Sequence, residues 1–192
     1  MKIMVTVKQV PDTSGKVAVN PDGTLDRASM QTITNPDDMN GIEAALALKD
    51  QNPEIKVVVV TMGPPPAESM LRECLAMGAD EAVLVSGREF GGADTYATSE
   101  CLAAAIRKIG VEKDDIVFCG RQAIDGDTAQ VGPQIAEHLG IPQITYAAGL
   151  SYDEATGVLT VKRQFEDRYQ TLQVSGMCLV TMLSTMVKPR YM

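Results

Sequence analysis

Four short runs of almost uninterrupted apolar residues constrain the fold of this chain more than any other feature. They are Ile3–Val7, Val57–Thr61, Ala82–Val85 and Asp115–Cys119, and segments with helical periodicity separate them. A strand of this kind is buried on both faces, which is typical of a parallel sheet covered by helices on each side. The order of strands and helices therefore predicts an α/β fold with a doubly wound, mostly parallel sheet.

Start and stop signals predict four helices between these strands. Asn35 is a candidate N-cap, followed by Pro36 at the first helical position and by Asp37 and Asp38 in the first turn. The other three helices are predicted to begin at Pro64–Pro66, at Asp94 or Thr95, and at Asp127 or Thr128, and to end at Gly78, Gly110 and Gly140.

The last quarter of the chain follows a different pattern. Val158–Arg163 and Tyr169–Val174 alternate between apolar and polar residues, with Glu166 and Asp167 between them. This pattern predicts an antiparallel hairpin added to the parallel sheet. A further strand is predicted at Cys178–Met182.

Two smaller elements complete the predicted organisation. A fifth strand is expected near Gln143–Tyr146, and the turn residues Asn20–Gly23 predict a small hairpin after the first strand. The length of 192 residues favours a single domain over 1–192. We expect it to carry a β insertion around residues 12–34 and an antiparallel extension around residues 151–183.

The composition argues against several classes of function. With 25 acidic and 17 Lys or Arg residues, the net charge of -8 disfavours nucleic acids and anionic membranes as partners. No apolar run approaches the roughly 20 residues of a membrane helix, and none resembles a signal peptide, so we expect a cytoplasmic protein. The four cysteines lie far apart and His138 is the only histidine, which predicts neither a metal site nor a catalytic triad.

The segment Gly120–Gln130 is the strongest candidate for a binding site. It follows a buried strand, and ligands of open α/β sheets bind beyond the carboxyl ends of the strands. Asp127 or Thr128 is predicted to cap the next helix and to leave the N–H groups of Thr128–Val131 free for an anion. An ordinary capped loop remains the alternative, as does a role for Asp125 and Asp127 in holding Mg²⁺ or a ribose hydroxyl.

Four motifs closely resemble the beta subunit of electron transfer flavoprotein. They are Val7–Thr13, Asn35–Asp38, Leu75–Asp80 and Gly120–Thr128. The resemblance implies an adenine-nucleotide-binding, Rossmann-like fold with the ligand at the carboxyl ends of the strands. It further implies cofactor binding by Thr6, Lys8, Asn35, Pro36, Asp37, Asp38, Met62, Asp125, Gly126, Asp127, Thr128, Ala129, Gln130 and Val131.

The cofactor depends on the branch of the family. Members with a housekeeping role hold AMP, whereas those of the flavin-bifurcating branch hold FAD and take a hydride from NADH. Arg88–Thr98 and Val187–Met192 resemble the bifurcating branch, although Gly87 stands where an acidic residue is expected. The resemblance implies that Arg88, Phe90, Asp94 and Thr95 lie near NADH.

The resemblance also implies partners. In the bifurcating branch one electron goes to ferredoxin, and the other goes to the FAD of the alpha subunit and on to an acyl-CoA dehydrogenase. Family members continue past Pro189–Tyr191 into an arm that wraps the alpha subunit, and we expect weaker docking without it. The alternative outside the family is a stand-alone ATP- or AMP-binding regulator of the universal-stress type. An adenylating enzyme is disfavoured because no Ser-Gly-Gly-x-Asp-like loop follows the first strand.

Overall fold

A computed structural model describes residues 1–12 and 31–191 of the chain. Within them, the strands are β1 Lys2–Thr6, β2 Gln9–Pro11, β3 Thr32–Thr34, β4 Lys56–Met62, β5 Glu81–Val85, β6 Ile116–Gly120, β7 Gln143–Asp153, β8 Val158–Gln164, β9 Tyr169–Ser175 and β10 Cys178–Met182. The α-helices are α1 Pro36–Gln51, α2 Glu68–Met77, α3 Thr95–Ile109 and α4 Val131–Leu139.

The large sheet has the strand order β5-β4-β1-β6-β10-β7-β8-β9. Its first six strands are parallel, and β8 and β9 continue it as an antiparallel hairpin. The predicted α/β class with a doubly wound, mostly parallel sheet and an added hairpin is confirmed. The predicted strand Cys178–Met182 forms as β10, which lies between β6 and β7.

Helices cover both faces of the parallel part of the sheet. Ile42 of α1 and Met70 of α2 belong to the apolar cluster that includes Val5, Val59 and Phe118. On the opposite face, Leu102 and Ile106 of α3 and Ile135 of α4 pack in a cluster with Met4, Val58 and Val117. Successive strand residues alternate between the two clusters, which explains why these strands contain so few polar residues.

Helix α3 follows its sequence signals closely. Asp94 is the N-cap and accepts a hydrogen bond from the N–H of Ala97 at 2.8 Å, and the helix ends at Gly110 with φ of 93°. Helix α2 begins later than predicted, because Pro65–Ala67 forms a 3₁₀ turn before the α-helix starts at Glu68. A proline disfavours the α conformation of the residue before it, so three in a row delay the helix.

The predicted start of α4 at Asp127 or Thr128 is wrong. The helix begins at Val131, and Gln130 occupies the N-cap position. Asp127 and Ala129 both have φ of 52°, which a right-handed helix does not contain. The Asp127 carboxylate accepts a hydrogen bond from Gln122 Nε2 at 2.7 Å, so it holds the preceding turn and does not cap the helix.

The remaining strands extend or flank the predicted ones. β7 continues from the predicted strand near Gln143–Tyr146 as far as Asp153, and shifts of register interrupt its pairing on both sides. β2 and β3 form a separate antiparallel pair. Most of the predicted insertion, with the turn Asn20–Gly23, lies outside the described residues.

None of the helices in 1–12 and 31–191 combines the length and apolar character that a membrane crossing requires.

Gly120 is the point where β6 approaches the start of α1 most closely. A Cβ at this position would lie 2.6 Å from the carbonyl carbon of Asp37 and 2.6 Å from the backbone N of Asp38. The backbone in the buried first turn of α1 cannot shift without a cost in free energy. We expect Gly120→Ala to lower the free energy of unfolding by about 1–3 kcal/mol, as overpacking does elsewhere.

Urea denaturation of the purified variant, followed by circular dichroism, measures this change. Gly149→Ala is the matched control, since a Cβ at Gly149 meets no atom within 4 Å. Its free energy of unfolding should stay within about 0.5 kcal/mol of the parent value. Equal stability of the two variants would contradict the packing described here.

Candidate functional site

The carboxyl ends of β1 and β6 form the switch point of the sheet. The two strands are neighbours, but the chain proceeds from β1 toward β4 and β5 on one side and from β6 toward β7 on the other. The loops that follow them therefore diverge and leave a crevice between them. Residues after Thr6 and residues after Gly120 line this crevice.

Asp38 joins the two strand ends. Its Oδ2 accepts a hydrogen bond from the N–H of Lys8 at 2.9 Å, and its Oδ1 accepts one from the N–H of Gly120 at 3.0 Å. The side chain stands in the first turn of α1, where the helix dipole favours a negative charge. One carboxylate therefore fixes the relative positions of β1, β6 and α1.

Burial shifts the titration of this carboxyl group. Loss of solvation raises the pKa of Asp38 from its ordinary 3.8 to about 7, against the opposing effect of its hydrogen bonds. The pKa of the neighbouring Asp37 is also raised, again by burial, while the charge of Arg121 lowers it. Burial thus raises the pKa of two acidic groups, of which Asp38 lines the crevice and Asp37 contacts the lining residue Arg121.

Asn35 has a different role from the predicted one. It occupies the N-cap position of α1, but its side chain makes no capping hydrogen bond. Instead its Nδ2 donates to the carbonyl oxygen of Gln122 at 2.8 Å, and its Oδ1 accepts from the N–H of Ile124 at 3.2 Å. The fully buried Asn35 therefore holds the loop after β6 in place.

A cavity of ≈ 390 Å³ occupies the crevice. The loops after β1 and β6 form one wall, and the segment before α3 and the start of α4 form the other. Its lining residues are Thr6, Val7, Lys8, Asp38, Met62, Phe90, Gly92, Ala93, Asp94, Thr95, Thr98, Leu102, Cys119, Gly120, Arg121, Gln122, Ala123, Gly126, Thr128, Ala129, Gln130, Val131 and Gly132.

Thr128, Ala129 and Gln130, which precede α4, line this cavity. Ala129, with φ of 52°, precedes Gln130, whose φ of -100° and ψ of -33° are right-handed. Such a left–right pair turns successive N–H groups toward one side and creates a concavity that binds anions. No acceptor within 1–12 and 31–191 bonds to the N–H groups of Thr128, Ala129 or Gln130. A left-handed alanine is strained and is typical of functional sites.

The N-terminus of α3 lies beside that of α4. Thr95 Oγ1 donates a hydrogen bond to Gln130 Oε1 at 3.0 Å, so the first residue of α3 and the N-cap residue of α4 meet at the cavity wall. Both helix dipoles direct their positive ends to the same place. The site therefore attracts an anion although the chain has a net charge of -8.

Two cationic side chains line the cavity, and they differ in how they are paired. Lys8 Nζ lies 2.8 Å from both carboxylate oxygens of Asp125. Arg121 Nε lies 3.5 Å from Asp37 Oδ2, and the two atoms form no hydrogen bond with each other or with another described residue. Arg121 therefore retains more capacity than Lys8 to bind an anionic ligand.

The cavity brings together many, but not all, of the residues singled out from the sequence. Those that line it are Thr6, Lys8, Asp38, Met62, Gly126, Thr128, Ala129, Gln130 and Val131, together with Phe90, Asp94 and Thr95. Those that do not line it are Asn35, Pro36, Asp37, Asp125, Asp127 and Arg88. Asp37, Asp125 and Asn35 contact lining residues instead.

Arg121 was not singled out from the sequence, although it belongs to the candidate segment Gly120–Gln130. It is the only cationic residue of Gly120–Gln130, and that isolation was the available signal. Cys119 and Gly132 were also missed, and no local pattern distinguishes them. As for metals, no group of three His, Cys, Asp or Glu side chains within the described part of the chain has the arrangement of a metal site.

Comparison with known proteins agrees with this architecture. The electron transfer flavoprotein domain model matches residues 22–192. The chain belongs to the electron transfer flavoprotein family. The resemblance recognised from the four sequence motifs is thereby confirmed.

Named relatives of the family match the whole chain. The acryloyl-CoA reductase electron transfer subunit gamma of Anaerotignum propionicum is 62% identical, with 71% of its own length covered. The caffeyl-CoA reductase-Etf complex subunit CarD of Acetobacterium woodii and the electron transfer flavoprotein subunit beta of Clostridium acetobutylicum are each 54% identical, with 72% covered. In each case the alignment includes 100% of this chain.

The buried Asp38 gives a prediction about pH and stability in this flavoprotein domain. Its folded-state pKa of about 7 lies above its ordinary 3.8, so the folded chain binds this proton more tightly than the unfolded chain. The resulting stability is present at pH values below 3.8 and is lost as the pH rises through about 7. Between pH 3.8 and about pH 7, the free energy of unfolding falls by about 1.4 kcal/mol per pH unit through this group.

Denaturant titrations from pH 5 to pH 8 check this sign. The free energy of unfolding of the parent should fall relative to that of Asp38→Asn, which has no titrating group at this position. Asp153→Asn is the control, because hydrogen bonds from Thr156 and Ala155 lower the pKa of the exposed Asp153, which stays ionised throughout. A constant difference between the parent and Asp38→Asn would refute the assignment.

Proposed function

We propose that this chain is the beta-type subunit of a flavin-bifurcating electron transfer flavoprotein. In this role it binds FAD in the cavity and takes electrons from NADH. It shares them between ferredoxin and the FAD of an alpha subunit that serves an acyl-CoA dehydrogenase. The observation that carries the proposal is the set of backbone N–H groups of Thr128–Gln130, residues that line the cavity between two helix N-termini and whose N–H groups have no acceptor among the described residues.

The chemistry of this donor set suits a diphosphate. Backbone N–H groups bind anionic oxygens without adding side-chain charge, and the strained Ala129 holds them in one orientation. A Cβ at Gly126 would meet no atom within 4 Å, so the loop leaves room for a ligand to approach its backbone. Gln130, Val131 and Gly132 continue the same wall into α4.

Other cavity residues have separate tasks in this proposal. When bound, the flavin supplies the redox chemistry, while the protein supplies position and electrostatics. Arg121 provides a positive charge, and its Nε lies 3.5 Å from Asp37 Oδ2. Met62, Leu102 and Val131 form apolar walls that exclude water. Lys8 either remains paired with Asp125 or exchanges that carboxylate for a phosphate oxygen.

The side of the cavity before α3 is the proposed region for NADH. Phe90, Asp94 and Thr95 line it, and Thr95 is linked to Gln130. This link connects the proposed donor side with the proposed phosphate cradle. Arg88 does not line the cavity. In this proposal it contacts the part of the bound NADH that extends beyond the cavity wall.

The proposed partners are supported by the names of relatives. Relatives of this chain include subunits of an acryloyl-CoA reductase and of a caffeyl-CoA reductase-Etf complex. We therefore propose a heterodimer with an alpha subunit in the cytoplasm, acting with an acyl-CoA dehydrogenase and with ferredoxin. AMP is the second candidate ligand, since the same N–H groups would bind a single phosphate.

Analysis of a denaturing extract of the purified complex distinguishes the ligands most directly. We expect FAD in excess of the amount that the alpha subunit alone accounts for. AMP at one equivalent per chain would identify a housekeeping role instead. ATP in the extract of the chain would support a nucleotide-binding regulator and would contradict the proposal.

Gly126→Val tests the location of the phosphate cradle. The branched side chain would project into the open space beside Thr128 and Ala129, so we expect FAD affinity to fall by about tenfold or more, equivalent to about 1.4 kcal/mol. Fluorescence titration with FAD measures it. Gly149→Val is the control, because Gly149 also lies in open space but does not line the cavity. Unchanged affinity of Gly126→Val would show that the diphosphate lies elsewhere.

A further inference from the structure

A row of polar side-chain contacts joins α3 to α4, beside the apolar cluster that the two helices share. Thr95 Oγ1 donates to Gln130 Oε1 at 3.0 Å, Ser99 Oγ lies 3.4 Å from Gln134 Oε1, and His138 Nε2 lies 3.1 Å from Ser99 Oγ. Gln130, Gln134 and His138 are four residues apart, a spacing that places side chains along one side of a helix. The row therefore runs from the cavity, which Thr95 and Gln130 line, to the last turn of α4.

His138 completes this row with both of its ring nitrogens. Nδ1 lies 2.8 Å from Glu100 Oε2, and Nδ1 carries a proton because a carboxylate only accepts. The Ser99 hydroxyl donates its single proton to the carbonyl oxygen of Tyr96 at 2.8 Å, so Nε2 donates to Ser99 Oγ. The full set of contacts therefore requires the doubly protonated, positively charged ring. We use the term polar seam for the whole row, which consists of Thr95, Ser99 and Glu100 of α3 and of Gln130, Gln134 and His138 of α4 and its N-cap.

The titratable and charged groups around the ring come from both helices and from two strands that pack against α4. The Tyr96 ring meets the imidazole edge-on with the ring centres 5.0 Å apart, and the Arg107 guanidinium donates to the carbonyl oxygen of His138. Glu137, the preceding residue of α4, is exposed. The titratable residues of the strands β7 and β10 are Tyr146, Tyr152, Asp153 and Cys178. Within 1–12 and 31–191, Glu100 is the one carboxylate that pairs with the ring.

Ser99, His138 and Glu100 have the order of a hydrolytic triad, but their geometry excludes that role. Ser99 is fully buried, and its proton is bound to the backbone of its own helix. A nucleophilic serine has to reach its substrate and to pass its proton to the histidine. These contacts therefore hold the two helices together and perform no acyl transfer.

Helix α4 depends on such contacts for its position. It has nine residues and no side-chain cap at its N-terminus, and helices this short are marginal in water on their own. Ile135 belongs to one apolar cluster with Leu102 and Ile106 of α3. Apolar contacts are non-directional and restrain the sliding of one helix along the other only weakly. Hydrogen bonds need defined distances and angles, so the polar seam specifies the register.

We propose that His138 is a positioning residue for the nucleotide site. Its doubly protonated ring joins the end of α4 to Ser99 and Glu100, and the polar seam extends this restraint over about 12 Å of helix to Gln130. The backbone N–H groups of Thr128–Gln130 are thereby held beside the N-terminus of α3. The inference rests on the proposed function in one respect, since it takes these N–H groups as the phosphate site.

Glu100→Ala tests the inference through the sign of its effect on FAD affinity. The change removes a negative charge, so long-range electrostatics alone would raise the affinity for an anionic ligand. Loss of the contact with His138 instead loosens α4, and we expect the affinity to fall by about threefold or more. Glu100 is half-exposed, so the substitution leaves the core intact. Fluorescence titration with FAD measures the change.

Glu137→Ala is the matched control. It removes the same charge from an exposed position next to His138, but it removes no contact of the polar seam. Its FAD affinity should stay within about twofold of the parent value. Glu100→Gln retains an acceptor for His138 Nδ1 and should bind FAD with an affinity between those of the parent and Glu100→Ala. An unchanged or raised affinity of Glu100→Ala would overturn the inference.

The pH dependence of FAD affinity separates positioning from a general loss of stability. A histidine ring commonly loses its charge between pH 5 and pH 8. Over this range, the affinity of the parent should fall by about threefold relative to that of His138→Gln, and Asp38, which titrates in both proteins, cancels in the comparison. The same comparison in a Glu100→Ala background should show a much smaller change. A difference of equal size in that background would indicate long-range attraction by the ring charge and would overturn the inference.

A ligand-free measurement distinguishes failure of this inference from failure of the proposed function. His138 is the only histidine, so ¹H–¹⁵N spectra of the chain without a histidine tag report its ring without ambiguity. In the parent, we expect the amide signals of Thr128, Ala129 and Gln130 to shift with the same pH midpoint as the ring, and this component should be lost in His138→Gln. Amides that do not follow the ring would overturn the inference. A chain that binds no FAD while its amides follow the ring would overturn the proposed function alone.

Discussion

The contact on which the site depends is the pair of hydrogen bonds that the Asp38 carboxylate accepts from Lys8 and Gly120. They join the carboxyl ends of two neighbouring parallel strands to the first turn of a helix. A glycine is required at position 120 because any side chain there would meet the backbone of Asp37 and Asp38. Since β1 and β6 already pair directly as far as Thr6 and Cys119, this junction adds the position of α1 to that of the two strand ends.

An acidic protein that binds an anionic nucleotide has to do so with few cationic side chains. The site meets this requirement with backbone N–H groups, two convergent helix N-termini and one loosely paired arginine. Burial raises the pKa of Asp38 to about 7 and also raises the pKa of Asp37, which lies beside the Arg121 guanidinium. The fold suits the proposed function because the parallel sheet supplies rigid strand ends and the loops that follow them supply polar contacts for a nucleotide.

The sequence predicted those features that depend on local pattern. The runs Ile3–Val7 and Val57–Thr61 specify buried strands by themselves, and Asp94 and Gly110 delimit α3. The start of α4 was predicted too early because the backbone is left-handed at Asp127 and Ala129. Contacts outside the local sequence pattern hold this loop: Asn35 bonds to Gln122, and Gln122 bonds to Asp127. The position of β10 between β6 and β7 likewise depends on tertiary packing.

The central claim is that backbone amides at the entry to α4 bind the phosphates of the nucleotide. The most direct measurement is a ¹H–¹⁵N correlation spectrum of the chain recorded during addition of FAD. We expect the largest shifts at the amides of Thr128, Ala129, Gln130, Val131 and Gly132. Shifts concentrated instead around Lys188–Tyr191, at the groove beside β3, with those five amides unchanged, would contradict it.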